Sequence, residues 1–286
     1  MTGAGDRPTG EATPPVVPPG LDASIALLRH GETEYIVEGR VQGQHETSLT
    51  ELGRRQAALA GVRLAAPAEP PALPVPDGRP LVIVHSPLRR TTETAEHVAA
   101  AIAASSGKAG DPPVLRPDDG VREIAQGAWE GLHHDEIMAR YGNELAAWRR
   151  DPVHAWAPGG ESIVQVQDRV RGSLGRLLAA LAEGRAPGSL DRPQVPGYAG
   201  AGHGTDVPWA IVVGHDGVFK VLVLTMLGLP LDRFWSFPFA LAGISVIEIR
   251  GGRPALRAHN LVDHLAPLAD PTAARETEAR QRLGAL

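Results

Sequence analysis

Residues 24–33 read Ser-Ile-Ala-Leu-Leu-Arg-His-Gly-Glu-Thr, and the reading of this stretch decides the fold. Ile25, Ala26, Leu27 and Leu28 form a short apolar run of the kind that makes a buried parallel strand, and it ends abruptly on Arg29 and His30. The same order returns down the chain. Leu81 to His85 is a second buried run, and Ser86 with Pro87 is a cap and first-turn pair that opens an Ala-rich helix to about Ser105. Ala210 to Gly214 is a third run, feeding a helix from Gly217 to Leu227; Val114 to Arg116 and Ile244 to Ile249 supply further strands. Thr50 caps a helix running through Ala66, a loop through Trp129 leads to short helices ending near Arg149, and Ser162 opens a helix to about Glu183.

Strands alternating with helices predict an α/β fold: three layers, α/β/α, around a mostly parallel central sheet. In such sheets ligands gather outside the carboxyl ends of the strands. Three predicted strands carry His or Arg there: Arg29 with His30, His85 with Arg90 one turn into the helix, and His215. That convergence is the main functional clue.

The rest of the composition narrows the field. A net charge of −5 gives no basic field of the kind nucleic-acid binders use, so nucleic acid is not an expected partner. Cysteine is absent, which removes disulfides, thiolate metal sites and phosphatases built on a catalytic thiol. No segment approaches the ~20 apolar residues of a membrane span, so no membrane partner is expected and the cytoplasm is the default location. The 33 glycines and 26 prolines concentrate in patches. They predict a disordered tail over residues 1–22, one domain over 23–270 with a flexible Gly/Pro-rich insertion at 184–208, and a C-terminal tail over 271–286.

A neutral imidazole at a strand end beside a helix N-terminus can attack phosphorus. An isolated Arg-His pair is usually an ordinary polar cap, but here Arg90 adds a guanidinium whose planar fork matches phosphate oxygens, and His215 adds a second imidazole. At this point the chain resembles the histidine phosphatase superfamily, in its phosphoglycerate mutase-like branch, over most of residues 24–265. The matches are ordered: Arg29-His30-Gly31-Glu32-Thr33; Gly39, Arg40, Gln42 and Gly43; Leu49, Thr50 and Gly53; Ser86, Leu88, Arg90, Thr94 and Ala95; Arg122, Glu123, Gly127, Trp129, Glu130 and Gly131; Pro158 to Ser162; and His215 with Gly217.

The resemblance implies that His30 is phosphorylated, that Arg29, Arg90 and His215 hold the phosphoryl oxygens, and that Glu123 gives the leaving group its proton. Asp216 is the competing acid, because a distant branch places its acid directly after the second His. Thr33, Gln42, Gly43, Asp216 and Gly217 are implied as substrate-binding. Two Arg and a protonatable His215 match the charge a metal would neutralise, so no metal and no cofactor are expected. The substrate implied is a small phosphorylated metabolite, a phosphomonoester; a homodimer is left open.

Two positions depart from the pattern. Ile36 stands where the family usually has Asn, which predicts the loss of a phosphate hydrogen bond worth ~1 kcal/mol and a more apolar substrate side. Lys220 stands where relatives often carry Arg or Asn and reads as a solvated helix residue. His133, His134 and Asp135 lack the i, i+4 spacing of a zinc pair and read as surface. Arg149 and Arg150 read either as a basic helix end or as binders of a second anionic group. The Gly-rich run at 197–204 follows no strand and carries no dinucleotide fingerprint. The alternatives are a cofactor-dependent phosphoglycerate mutase, disfavoured by the short stretch from Gly131 to Ser162, and a non-catalytic phospho-ligand binding protein, disfavoured because every catalytic residue type is retained.

Overall fold

The computed structural model describes residues 15–76, 78–105, 113–184 and 207–268. β1 (Ala23–Arg29) is buried at every position, as a run of unbroken apolar residues requires, and it lies inside a six-stranded sheet. In chain order there follow α1 (Glu34–Glu38), α2 (Glu51–Ala65), β2 (Ile83–His85), α3 (Arg89–Ser105), β3 (Leu115–Pro117), α4 (His134–Arg150), α5 (Ile163–Glu183), β4 (Trp209–Gly214), α6 (Asp216–Leu227), β5 (Ile244–Arg250) and β6 (Arg253–Leu261). The strand order is β3-β2-β4-β1-β5-β6. β4 pairs in parallel with both β1 and β2, β2 with β3, and β5 runs antiparallel to β1 and to β6.

Side chains on a strand alternate between faces, and each face has its own core. Ile25, Leu27, Ala210, Val212 and Ile247 pack with α5 and α6. Ala26, Leu28, Ile211, Val213 and Val246 pack with α2 and α3. The expected three-layer, mostly parallel architecture is the one observed. Among the described residues no helix is long and apolar enough to cross a membrane.

The local differences have plain causes. Ser86 and Pro87 belong to a turn, and the helix begins only at Arg89; Ser86 Oγ accepts from the Leu88 amide at 3.3 Å. The short helices before Arg149 are one helix, α4, interrupted where Tyr141 leaves helical geometry (φ −134°, ψ 27°). α1 and β6 were not expected: α1 is a single turn capped by Thr33, and the edge strand β6 carries no continuous apolar run. Residues 15–22, expected in the tail, join the fold, with Val17 and Leu21 buried in the core. The Gly/Pro-rich insertion from residue 185 to 206, the tail over 271–286 and residues 1–14 lie outside the described residues.

Two glycines weld the first loop to α2. A Cβ on Gly31 would run into the Gly53 carbonyl, and one on Gly53 would run into the Glu32 carbonyl. Around this contact the Thr50 hydroxyl donates to Glu32 Oε1 (2.8 Å), and the Glu32 amide donates to Gln56 Oε1 (2.8 Å). The loop after β1 is therefore set by backbone packing as well as by hydrogen bonds.

Candidate active site

β2, β4 and β1 are neighbours, so their carboxyl ends open side by side. Arg29 stands opposite Gly214, and the His30 amide continues the ladder by donating to the Gly214 carbonyl (3.0 Å). His30 and His215 are thus forced together, with ring centroids 5.1 Å apart and planes inclined at 62°. Arg90 reaches the same place from the first turn of α3. The cleft there encloses about 510 Å³ including its open mouth, lined among others by Arg29, His30, Gln42, Arg90, Glu123 and Lys220.

His30 Nδ1 lies 2.7 Å from the Gly31 carbonyl, which can only accept, so Nδ1 carries the proton and Nε2 keeps its lone pair. Burial first, then Arg90 and Arg29, push the imidazole pKa well below its ordinary value and keep the ring neutral. A neutral ring with a free Nε2 is the state a nucleophile needs.

Arg90 is anchored on three sides: Nη2 donates to the Gly43 carbonyl (2.7 Å), Nη1 to the His45 carbonyl (2.9 Å) and Nε to His215 Nδ1 (3.2 Å). Burial lowers its pKa to about 10 against the pull of Glu123 and Glu46, which still leaves it a cation at neutral pH. Arg29 donates through Nη1 to the Phe239 carbonyl (2.5 Å), while its buried Nε has no protein partner.

His215 departs from its expected behaviour. Because Arg90 Nε donates to Nδ1, the proton of the neutral ring sits on Nε2, 2.9 Å from Ser86 Oγ. Burial, then Arg90 and His30, push its pKa well below the ordinary value, so the ring that the sequence reading took as protonatable is neutral in the free site. It lies one layer behind the cleft wall.

Glu123 comes from the loop after β3. Its carboxylate accepts from the amides of Ile124 (2.9 Å), Val218 (2.9 Å) and Gly217 (3.2 Å), the last two at the N-terminus of α6. The loop is braced from below by Arg169, which donates to the carbonyls of Gly120, Arg122 and Glu123 and pairs with Glu161. Asp216, the competing acid, is committed elsewhere: Oδ2 meets Lys220 Nζ at 2.6 Å and Oδ1 accepts from the Phe239 amide at 3.0 Å. Burial alone would raise its pKa, but Lys220 and then Arg29 hold it below the ordinary carboxylate value. Asp216 is therefore ionised and fully engaged, which leaves Glu123 as the carboxyl facing the cleft without a cation on it.

The remaining expected residues divide. Gln42 lines the cleft; its Oε1 accepts from the hydroxyls of Thr33 (2.8 Å) and Thr47 (2.7 Å), leaving its NH2 as the donor, so Thr33 acts through Gln42 from behind. Gly43 and Gly217 supply closeness: a side chain on Gly43 would overlap Glu130, and one on Gly217 would overlap Glu123. Ile36 is buried in α1 and is not part of the cleft lining, whose apolar members are Val41, Ile124 and Phe234. Lys220 overturns its reading as a solvated residue: it is 3% exposed and lines the cleft. Arg149 and Arg150 are exposed at the end of α4, outside the cleft lining. The His133 amide is capped by Glu136 Oε2 (2.8 Å) at the start of α4, and among the described residues no group of three or more His, Asp or Glu is placed to hold a metal. Sequence reasoning missed Arg169 and Thr47 and gave Ser86 and Glu161 no role in the site; the contacts of Ser86 with His215 and of Arg169 with the Glu123 loop join distant parts of the chain and carry no local signal.

Comparison with known proteins agrees with this geometry. The sequence profile of the histidine phosphatase superfamily (branch 1) matches residues 25–186 and 199–262. Glucosyl-3-phosphoglycerate phosphatase of Mycolicibacterium vanbaalenii is 34% identical over 228 residues, 79% of this chain and 84% of that one. Phosphoserine phosphatase 1 of Hydrogenobacter thermophilus is 28% identical over 241 residues, 84% of this chain and 93% of that one. The solved structure of a mycobacterial glucosyl-3-phosphoglycerate phosphatase superposes with a TM-score of 0.64 at 29% identity, covering 83% of this chain and 98% of that one.

Proposed function

Because the chain belongs to the histidine phosphatase superfamily, branch 1, and is a phosphomonoester hydrolase, we propose that His30 is its nucleophile and a carboxylated phosphomonoester of the glucosyl-3-phosphoglycerate type its substrate. The observation that carries the first half is the His30 tautomer. With Nδ1–H given to the Gly31 carbonyl, the Nε2 lone pair faces a cleft walled by two guanidinium groups.

The steps follow from the placement of charge. Nε2 of His30 attacks phosphorus in line with the ester oxygen; the N–P bond forms as the P–O bond breaks. Arg29 and Arg90 hold the phosphoryl oxygens, and the Gln42 NH2 is a third donor. Because Arg90 is already fixed by two backbone carbonyls, little reorganisation is needed as charge shifts. Glu123 acts as the general acid and passes a proton to the leaving alkoxide. Water then attacks the phosphohistidine, Glu123 takes its proton, the N–P bond breaks and phosphate departs. His215 holds Arg90 in register, accepting from its Nε while its own N–H is turned to Ser86.

For the substrate, the support is chemical likeness. Glucosyl-3-phosphoglycerate and phosphoserine, named in the similar proteins, share a three-carbon acid with the phosphoester on one terminal carbon and the carboxylate at the other; they differ at the middle carbon. A cytoplasmic location belongs to the same proposal, since so highly charged a metabolite does not cross a membrane unaided.

Phosphate release in excess EDTA tests the reading. Glucosyl-3-phosphoglycerate, 3-phosphoglycerate, phosphoserine, glycerol 3-phosphate and p-nitrophenyl phosphate are compared, and the highest kcat/KM is expected on the first. Higher kcat/KM on carboxylate-free alkyl esters, or activity that returns only with a divalent ion, overturns it.

A further inference from the structure

Lys108 and Lys220 are the only lysines in the chain; every other basic side chain of the Lys and Arg class is arginine. Lys220 occupies an improbable place for a cation. α6 is buried nearly all round, with Val218, Phe219, Val221, Leu222, Val223 and Leu224 as its neighbours, and apolar residues in place of both Lys220 and its buried partner Asp216 would serve the fold as well as the ion pair does. An ammonium is kept instead, 3% exposed, on the cleft wall.

Its surroundings hold it there without consuming it. Asp216 Oδ2 takes one of its three donors at 2.6 Å, and the rings of Phe234 and Trp235 lie 5.3 and 5.0 Å from Nζ. Asp216 is tied through the Phe239 amide to the segment whose carbonyl receives Arg29, so Lys220 and the phosphate-facing guanidinium share one support. Phosphoryl transfer is served by Arg29, Arg90 and His30. Lys220 is a third cation on the same wall, and no step of that transfer uses it.

We infer that Lys220 determines specificity by binding the carboxylate of the substrate, with Asp216, Phe234 and Trp235 fixing its ammonium in place. The inference rests on the substrate class proposed above. A compact ammonium, with donors in several directions, suits a carboxylate arriving beside a partner already in place better than the rigid fork of arginine does. The rings narrow the approach to small, flat anions.

The experiment compares kcat/KM on 3-phosphoglycerate and glycerol 3-phosphate, which differ in a carboxylate against a hydroxymethyl group. The wild type is expected to prefer the acid. Lys220→Gln, and Asp216→Asn/Lys220→Gln, which leaves no unpaired buried carboxylate, should each lower that preference at least tenfold, through KM for 3-phosphoglycerate. A purely structural pair would slow both esters together, so a preference within twofold of wild type in both variants overturns the role of Lys220 while leaving the substrate class standing. A wild type with no preference overturns the substrate class and the inference together. The unaltered enzyme gives an independent reading: with nitrogen-labelled lysine, the Lys220 Nζ resonance, identified by loss of the other signal in Lys108→Arg, should shift more with 3-phosphoglycerate than with glycerol 3-phosphate. Equal shifts count against the inference.

Discussion

Gly217→Ala isolates the position of the acid from its chemistry. Gly217 sits in the first turn of α6, so alanine is no burden to the helix and favours it by up to ~1 kcal/mol. The new Cβ, however, would stand 2.7 Å from Glu123 Oε1 and 2.9 Å from Ile124 Cδ1, where ordinary contact begins at 3.4 Å. The carboxyl must retreat by about 0.7 Å, stretching or breaking its bonds to the Gly217 and Val218 amides, now 3.2 and 2.9 Å. A misplacement near 1 Å costs on the order of 10²-fold in rate. We expect kcat on an alkyl phosphomonoester to fall ~30- to 100-fold, and kcat on p-nitrophenyl phosphate only a few-fold, because a phenolate departs without a proton. Steady-state kinetics on the two esters, with the melting curve to confirm the fold, gives the ratio directly. Glu123→Gln should show the same leaving-group dependence more strongly. Equal losses on both esters, or leaving-group dependence confined to Asp216→Asn, would refute the assignment of Glu123.

His30→Ala should reduce turnover by ~10³-fold or more and abolish acid-labile, base-stable labelling by a phosphodonor, while His215→Ala should slow the reaction and retain some label; label that persists in the first and vanishes in the second would mean the two histidines have exchanged roles. Acidification should expose the two buried imidazoles. Both pKa values are depressed in the fold, so below the unfolded value of about 6.5 the unfolded chain takes up protons that the folded chain refuses, and stability falls as pH falls, by up to ~1.4 kcal/mol per unit for each histidine. Denaturant midpoints at about pH 7 and pH 5.5 measure this, and His30→Ala should flatten the slope; equal midpoints in the wild type would contradict neutral burial.

The fold was legible because its central strands are buried on both faces and so read as unbroken apolar runs. β1, β4 and β5 are each placed to within a residue or so, and Ser162 and Thr50 cap the helices expected of them. β6 was hidden because an edge strand shows one face to solvent and interleaves Arg253, Arg257 and His259 with its apolar residues. In the site, His30, Arg29, Arg90 and Glu123 were legible as residue types at strand and loop ends. Their electrostatics were not. The neutral state of His215 depends on complete burial beside Arg90, and the burial of Lys220 on packing against Phe234 and Trp235; neither follows from neighbours in the chain. Lys220 resembled a surface residue because lysine usually is one.

The position of β4 between β1 and β2 bears on how the molecule comes into being. β1 and β2 never pair with each other; each pairs with β4, whose Trp209 meets Ser24 across the sheet. A ribosome that has delivered everything up to α5 has made His30, Arg29, Arg90 and Glu123, yet the sheet that would align them lacks its middle strand. Contacts of such long sequence separation form slowly, and until then two apolar strands wait with open edges, exposed to pairing with other chains. Regain of phosphatase activity during refolding should therefore lag behind the recovery of helical signal.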